Sequence, residues 1–271
     1  MARKVTAMYF TGTGTTEKMV TLIAKAVAEK IGAEYEAFDF TKPQTRKGVK
    51  TFRNEDIVIM GTPVIAGRVP NLLLGYLDTV LGNGALGVPV VMFGNRGFDD
   101  ALVELKAIML KNGFKTIAAG GFGAEHSFSA TLGKGRPDQG DLKEARTFAL
   151  KIAEKIISGN EEIVKIRDNE EIGPYYMPRD RHGEHIDIRK VKPKTDMSVC
   201  TNCGFCADNC PLGSINPDNV AEIPGICMKC CKCIKLCPVG AKYFDDPGYI
   251  YHKEELEQMY GVRRAENSCF I

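Results

Sequence analysis

Nine of the ten cysteines in this chain lie between positions 200 and 237, in two runs with one spacing. The first run is Cys200, Cys203, Cys206, Cys210 and then Pro211; the second is Cys227, Cys230, Cys233, Cys237 and then Pro238. Each reads C-x2-C-x2-C-x3-C-P. Thiolates at this density bind soft metals. Three cysteines on a tight loop reach three corners of a four-iron, four-sulfur cube, and a fourth ligand must come from elsewhere. Zinc usually takes two C-x2-C pairs separated by a longer span. Disulfides need an oxidising compartment, and the short apolar start of the chain does not read as a signal peptide. Iron–sulfur chemistry is therefore the expectation. Cys231 falls between ligands and reads as a packed thiol, while Cys269 has no partner that the sequence can name.

The spacing resembles that of the bacterial two-cluster ferredoxins, in which the fourth cysteine of each run ligates the other cluster. That resemblance implies one 4Fe–4S cluster on Cys200, Cys203, Cys206 and Cys237. The other would lie on Cys227, Cys230, Cys233 and Cys210.

The elements before this stretch alternate. Residues 4–10 read as a buried parallel strand, followed by a turn from Thr11 to Glu17. Met19, Val20, Ile23, Ala24 and Val27 then recur at helical spacing. A strand, a glycine- and hydroxyl-rich turn and a helix start aim backbone N–H groups and a helix dipole at an anion. With no Lys or Arg in the turn, a phosphate monoester held by hydrogen bonds suits it better than a triphosphate with magnesium. A dinucleotide fingerprint would want glycine where Glu17 stands, although Asp39 sits at a suitable distance; a Walker loop would want Gly-Lys-Ser/Thr. A plain capped helix is the remaining alternative. Strands follow over 33–38, 56–60, 88–93 and 115–119, with helices near 71–81 and 138–158, another after residue 100, and a loop over 120–129. This alternation predicts a doubly wound parallel sheet, with ligands outside the carboxyl ends of its strands.

Thr11, Thr13, Gly14, Thr15 and Thr16 resemble the flavodoxin phosphate loop, with Thr15 where asparagine is more usual. The loops 61–70, with Thr62, Pro63, Val64 and Ile65, and 94–99, with Gly94, Asn95, Arg96, Gly97, Phe98 and Asp99, resemble the two that flank the isoalloxazine ring. On that match Phe98 takes the place of the stacking aromatic, with a core aromatic as the alternative; only Val64 and Ile65 face the other side. Together with Glu125–Ser129 and the double-cluster tail, the chain resembles the flavodoxin–ferredoxin fusion proteins of the EFR type. The resemblance implies a flavodoxin-like α/β doubly wound sheet of order 2-1-3-4-5 plus a small α+β bacterial ferredoxin-like domain. It also implies FMN, two 4Fe–4S clusters and redox activity. The divisions expected are 1–160 for the FMN domain, 161–195 for a joining segment, 196–248 for the two-cluster domain and 249–271 for a C-terminal helix and tail.

Apolar residues make up 44% and charged residues 26%, an ordinary soluble composition, and the formal charge is +2. Two clusters at −2 each and a flavin phosphate near −2 would bring the loaded protein to roughly −4. Neither nucleic acid nor an anionic membrane is then an expected partner. A cytoplasmic place, and an anaerobic host for exposed clusters, are the defaults. In the joint, His182 and His185 have a metal-like spacing but read as solvated. Arg179, Arg181 and Arg189 are candidates to dock an acidic redox partner. His126 is the histidine to watch as a proton donor, and Leu256 and Met259 would pack a terminal helix. Clusters pass electrons singly and a flavin holds one or two. The first reading is an electron carrier exchanging with redox proteins, either ferredoxin-like donors or flavin and iron–sulfur acceptors. The second is an FMN-dependent reductase of a small organic acceptor, with Arg96, His126, Tyr175 and Tyr176 around it. A homodimer stays open, and no catalytic residue is assigned.

Overall fold

The computed structural model describes residues 3–271; positions 1 and 2 of the first division lie outside them. Strands β1 (Lys4–Tyr9), β2 (Glu34–Asp39), β3 (Ile57–Pro63), β4 (Leu86–Phe93), β5 (Lys115–Thr116) and β6 (Ala119–Gly123) are interleaved with four helices. These are α1 (Thr15–Ile31), α2 (Asn71–Leu77), α3 (Ala101–Lys111) and α4 (Gln139–Ile157). The sheet order is β2-β1-β3-β4-β6, all parallel, with β5 on the same side of β4. It is the doubly wound, flavodoxin-like order 2-1-3-4-5, with the fifth strand broken in two.

Alternation along the strands explains the two cores. Val5, Ala7 and Tyr9 of β1, with Val88 and Val90 of β4, face α1 and α4. Met8, Phe10, Val58 and Val91 face α2 and α3 on the other side. Successive strand side chains point to opposite faces, so a strand buried on both sides must be apolar throughout. Every β4 residue is buried.

The glycine-rich stretch read as a loop from 120 is strand. A Cβ at Gly121 would stand 2.8 Å from the Phe98 ring, and one at Gly120 2.7 Å from Phe122. At Gly123 the Arg136 guanidinium occupies the same place, 2.3 Å away. These glycines make room for neighbouring side chains and do not turn the chain. α2 also stops at Leu77, short of the expected 81.

The second half holds β7 (Lys194–Thr195) paired antiparallel with β8 (Lys242–Tyr243) and two one-turn helices, α5 (Phe205–Asp208) and α6 (Lys232–Lys235). Helix α7 (Pro247–Tyr260) follows, with Asp246 capping its start. Leu256 packs inward, whereas Met259 is exposed. The tail then returns to the flavodoxin-like sheet: β9 (Ser268–Phe270) pairs antiparallel with β6 and covers that edge. Three residues are too few to show a period, so nothing in the sequence marked this strand.

The joining segment is partly pinned. Val164 is buried and donates its N–H to Thr116 O at 2.9 Å. Lys106 pairs with Glu170, and Arg167 with Asp100. Tyr175 Oη donates to Val69 O at 2.8 Å, so this tyrosine is committed to the loop 61–70. No helix among the described residues is long and apolar enough to cross a membrane.

Candidate functional site

The two cysteine runs are copies of one local structure, displaced by 27 positions. Asn202 and Lys229 have φ of 52° and 56°, and each donates its N–H to the thiol two residues earlier, Cys200 and Cys227, at 3.4 Å. Gly204 and Cys231 have φ of 74° and 56° and precede α5 and α6. Gly213 and Gly240 are left-handed, and Ser214 and Ala241 donate to Cys210 and Cys237 at 3.4 and 3.3 Å. Cys231 thus stands where the first copy has its left-handed glycine. Its buried thiol lies 3.4 Å from Tyr249 Oη, as a packed side chain.

The copies exchange their last cysteines. Cys200, Cys203, Cys206 and Cys237 line one cavity, with Val220 and Lys242. Cys210, Cys227, Cys230 and Cys233 line another, with Leu212, Met228, Phe244 and the packed Cys231. Among the described residues, no three His, Cys, Asp or Glu side chains converge tightly enough for a single ion. Burial pushes the Cys230 thiol up to about 11 and raises those of Cys227 and Cys233. Thiolates in such a place suit a positively charged metal core beside them. At Cys237 burial also acts upward, but the N–H groups of Val239, Ala241, Lys242 and Gly240 outweigh it.

At the carboxyl edge of the sheet, Gly14 turns the chain into α1 with φ 93° and donates to Thr11 Oγ1 at 2.9 Å. Among the described residues, none accepts a hydrogen bond from, or donates one to, the hydroxyls of Thr13, Thr15 and Thr16. The first N–H groups of α1 have no intrahelical acceptor. Thr62 at the end of β3 is fully buried, and its hydroxyl has no partner. A buried hydroxyl without a partner costs free energy unless a bound group supplies one. The residues therefore fit a phosphate-bearing ligand lying along this edge.

The two loops after β3 and β4 meet. Asp100 donates its N–H to Gly67 O at 3.0 Å, and a Cβ on Gly67 would stand 2.4 Å from Asp99 Oδ2. Pro63, Val64 and Ile65 are half-buried here, as is Gly97. Phe98 is half-buried, packs on Gly121 and lies 5.5 Å from Phe93. Asn95 is occupied by the tail, donating to Tyr260 O and Arg263 O at 2.9 and 2.8 Å and accepting from Ala265 N. Arg96 pairs with Asp99 and lies 4.7 Å over Tyr176.

Tyr176 in turn stacks on His252, 5.9 Å away, and His252 meets Phe128 edge-on, as does His126. Gly94 is needed here, because a Cβ would stand 2.3 Å from the His126 ring. Burial pushes His126 down to about 4, with the nearby His252, Lys235 and Arg96 charges adding to it. Its Nδ1 accepts from Phe128 N at 3.1 Å. The imidazole is therefore neutral at pH 7 with its proton on Nε2, a weak acid rather than the donor expected of an imidazolium. His252, also pushed down to about 4 by burial, has a buried Nδ1 without a partner. Sequence reasoning missed it, since α7 offered no motif.

Elsewhere the candidates stay apart. His182 and His185 join no metal-like cluster among the described residues. Arg189 is paired with Asp187, and Arg179 donates to Gly183 O at 2.6 Å. Arg181 lies 5.7 Å over Tyr251.

The 4Fe-4S binding domain family matches residues 193–216, which contain the first cysteine run. No curated protein matches the chain. Among solved structures, rubredoxin oxygen:oxidoreductase from the anaerobe Desulfovibrio gigas is similar at 19% identity over 57% of this chain, with a TM-score of 0.42. The match spans only 36% of that protein. A flavodoxin from the domain Archaea matches 57% of this chain and 99% of its own length at 16% identity, with a TM-score of 0.40. Flavodoxin 1 from Bacillus cereus matches 56% of this chain and 98% of its own at 16%, also with a TM-score of 0.40.

Proposed function

We propose that this chain, a flavodoxin-like sheet joined to a 4Fe-4S binding domain, is an electron-transfer protein of the EFR type with FMN and two 4Fe–4S clusters. The observation that carries the reading is the sorting of eight cysteines into two cavities, each completed by the last cysteine of the other run. Clusters of this kind supply one-electron exchange, and a flavin supplies the change between one- and two-electron chemistry. The chain's own part is to hold the groups, tune them and exclude water. The backbone N–H groups that donate to the sulfurs of Cys200, Cys210, Cys227 and Cys237 would favour the more negative, reduced state of a bound cluster. Thr13, Thr15, Thr16 and the start of α1 would take the flavin phosphate, with Thr62 beside the chromophore. The loops 61–70 and 94–99 would bound the ring.

The test is an anaerobic reductive titration of purified protein with iron and flavin measured on the same sample. About one flavin and two cubane clusters per chain, with the flavin taking up electrons singly, is the expected result. Absence of flavin would overturn the reading of the first half, and reduction only in pairs would favour a reductase.

One observation favours that second reading. Arg96, partly exposed beside the 94–99 loop and stacked over Tyr176, would offer a small anionic acceptor a cation in exchange for Asp99. Reoxidation of the reduced protein by such an acceptor would then slow in Arg96→Ala without loss of FMN. Equal rates would remove it.

A further inference from the structure

The two cysteine sets sit differently on the flavodoxin-like body. Gly12, in the turn after β1, has no positive φ that would call for glycine. The fit around it is tight: a Cβ there would stand 3.2 Å from the Cβ of Cys230 and 3.3 Å from its carbonyl oxygen. The turn read as the phosphate cradle therefore touches a cluster ligand directly. Around this contact the Arg46 guanidinium ties the two halves, donating to Phe40 O and Thr41 O on one side and to Pro211 O at 2.6 Å on the other. Pro43 lies 3.7 Å from where a Cβ on Gly213 would be. Met228, which lines the cavity of the same set, packs against the core that includes Phe10 and Phe40.

The other set faces away. Cys203 is exposed, as are Thr201, Asn202, Pro238 and Val239 around it. Among the described residues, no hydrogen bond or ion pair joins residues 196–210 or 237–243 to the flavodoxin-like body.

Resting on the function proposed above, we infer that Cys210, Cys227, Cys230 and Cys233 form the flavin-side site, in contact with the phosphate turn at Gly12, and that Cys200, Cys203, Cys206 and Cys237 form the solvent-side site that meets a one-electron redox protein. In the reducing direction the external protein is oxidised by one electron at the solvent-side site. The flavin is reduced by one from the other, and two such transfers with two protons from solvent complete its reduction. No bond between heavy atoms forms or breaks.

A phosphate dianion beside the flavin-side site makes a further negative charge there harder to add, while one at greater distance is screened. The proposal is tested by redox titration followed by electron paramagnetic resonance, on loaded protein with FMN and after its removal. In Cys203→Ala, which keeps the flavin-side site, removing FMN raises the cluster potential. In Cys227→Ala, which keeps the other, the potential does not move. Should either variant fail to fold, Cys206→Ser serves in place of Cys203→Ala and Cys230→Ser in place of Cys227→Ala, with the same expectation. A shift in both, in neither, or only in Cys227→Ala would overturn the assignment. A rate makes the second arm. A reduced ferredoxin reduces the remaining cluster of Cys227→Ala at the wild-type rate but reduces its flavin slower by at least an order of magnitude. An undiminished flavin rate would also overturn it. A protein that binds no flavin at all fails the earlier reading instead, and the flavin assay on each sample separates the two cases.

Discussion

Replacing Cys210 by alanine is expected to empty the site built from the second run, although Cys210 belongs to the first. The reason is geometric. Cys210 lines the cavity of Cys227, Cys230 and Cys233, and Cys237 lines that of Cys200, Cys203 and Cys206. A cube left with three thiolates loses a corner ligand and becomes labile, so roughly half of the iron should go. A single variant does not distinguish crossed from uncrossed ligation, because either predicts half. Pairs of substitutions do. With crossed ligation, Cys210→Ala combined with Cys227→Ala damages one site twice and still retains roughly half of the iron. Cys210→Ala combined with Cys200→Ala damages both and retains almost none. Uncrossed ligation predicts the reverse, and iron and sulfide analysis under anaerobic conditions reads the answer.

The second large effect concerns a buried ion pair instead of a thiolate. Arg136 and Asp141 form a buried ion pair at 2.7 Å, with side chains only 4% and 0% exposed. The Arg136 guanidinium also donates to Ala265 O and Asn267 Oδ1, and Arg264 joins Asp141 at 2.9 Å. Truncating Arg136 removes the buried counterion of Asp141 and leaves the half-exposed Arg264 and the Asn267 amide to meet its charge. Arg136→Ala should therefore cost about 3–5 kcal/mol, a fall in melting temperature on the order of 10 °C. Burial alone would raise the Asp141 carboxyl, but hydrogen bonds from Arg136, Asn267 and the Asp138 N–H hold it well below the usual carboxylate range. A carboxylate depressed in the folded state stabilises above its unfolded value, about 3.9, and that contribution is lost as pH falls toward the folded value. The gap between wild type and Arg136→Ala should hold constant from neutral pH to about 5 and narrow below about 4. A gap that does not change down to strongly acid pH would show that the pair is not the source.

The parallel sheet was legible because its central strands β1, β3 and β4 are buried on both faces and most connections carry a helical stripe, a pattern that β4 and α1 display without help from distant residues. The cysteine loops were legible because ligand spacing is local. Gly120, Gly121 and Gly123 misled, since their meaning depends on Phe122, Phe98 and Arg136, the last two brought in from other parts of the chain. Gly12 is a sharper case. It reads as part of an anion turn, yet the space it leaves is filled by Cys230, more than two hundred positions away. The same holds for Asn95, which by motif belongs to a ring-flanking loop and in the fold secures the segment after α7. Long-range pairing of this kind has no periodicity to betray it.

The pairing of β9 with β6 makes the iron-binding half an insertion within the flavodoxin-like body instead of an appendage to it. During synthesis β6 must wait for the whole insertion before its outer edge is covered, which leaves a strand edge bare in the nascent chain. Once the strand has docked, the insertion becomes a closed loop anchored at both ends. Closure entropy rises only by about 0.6 kcal/mol for each doubling of loop length, so an insertion that has lost its metal and loosened adds little to the burden on that strand. The body can thus stay shut around a metal-free insert and hold it in place for reloading.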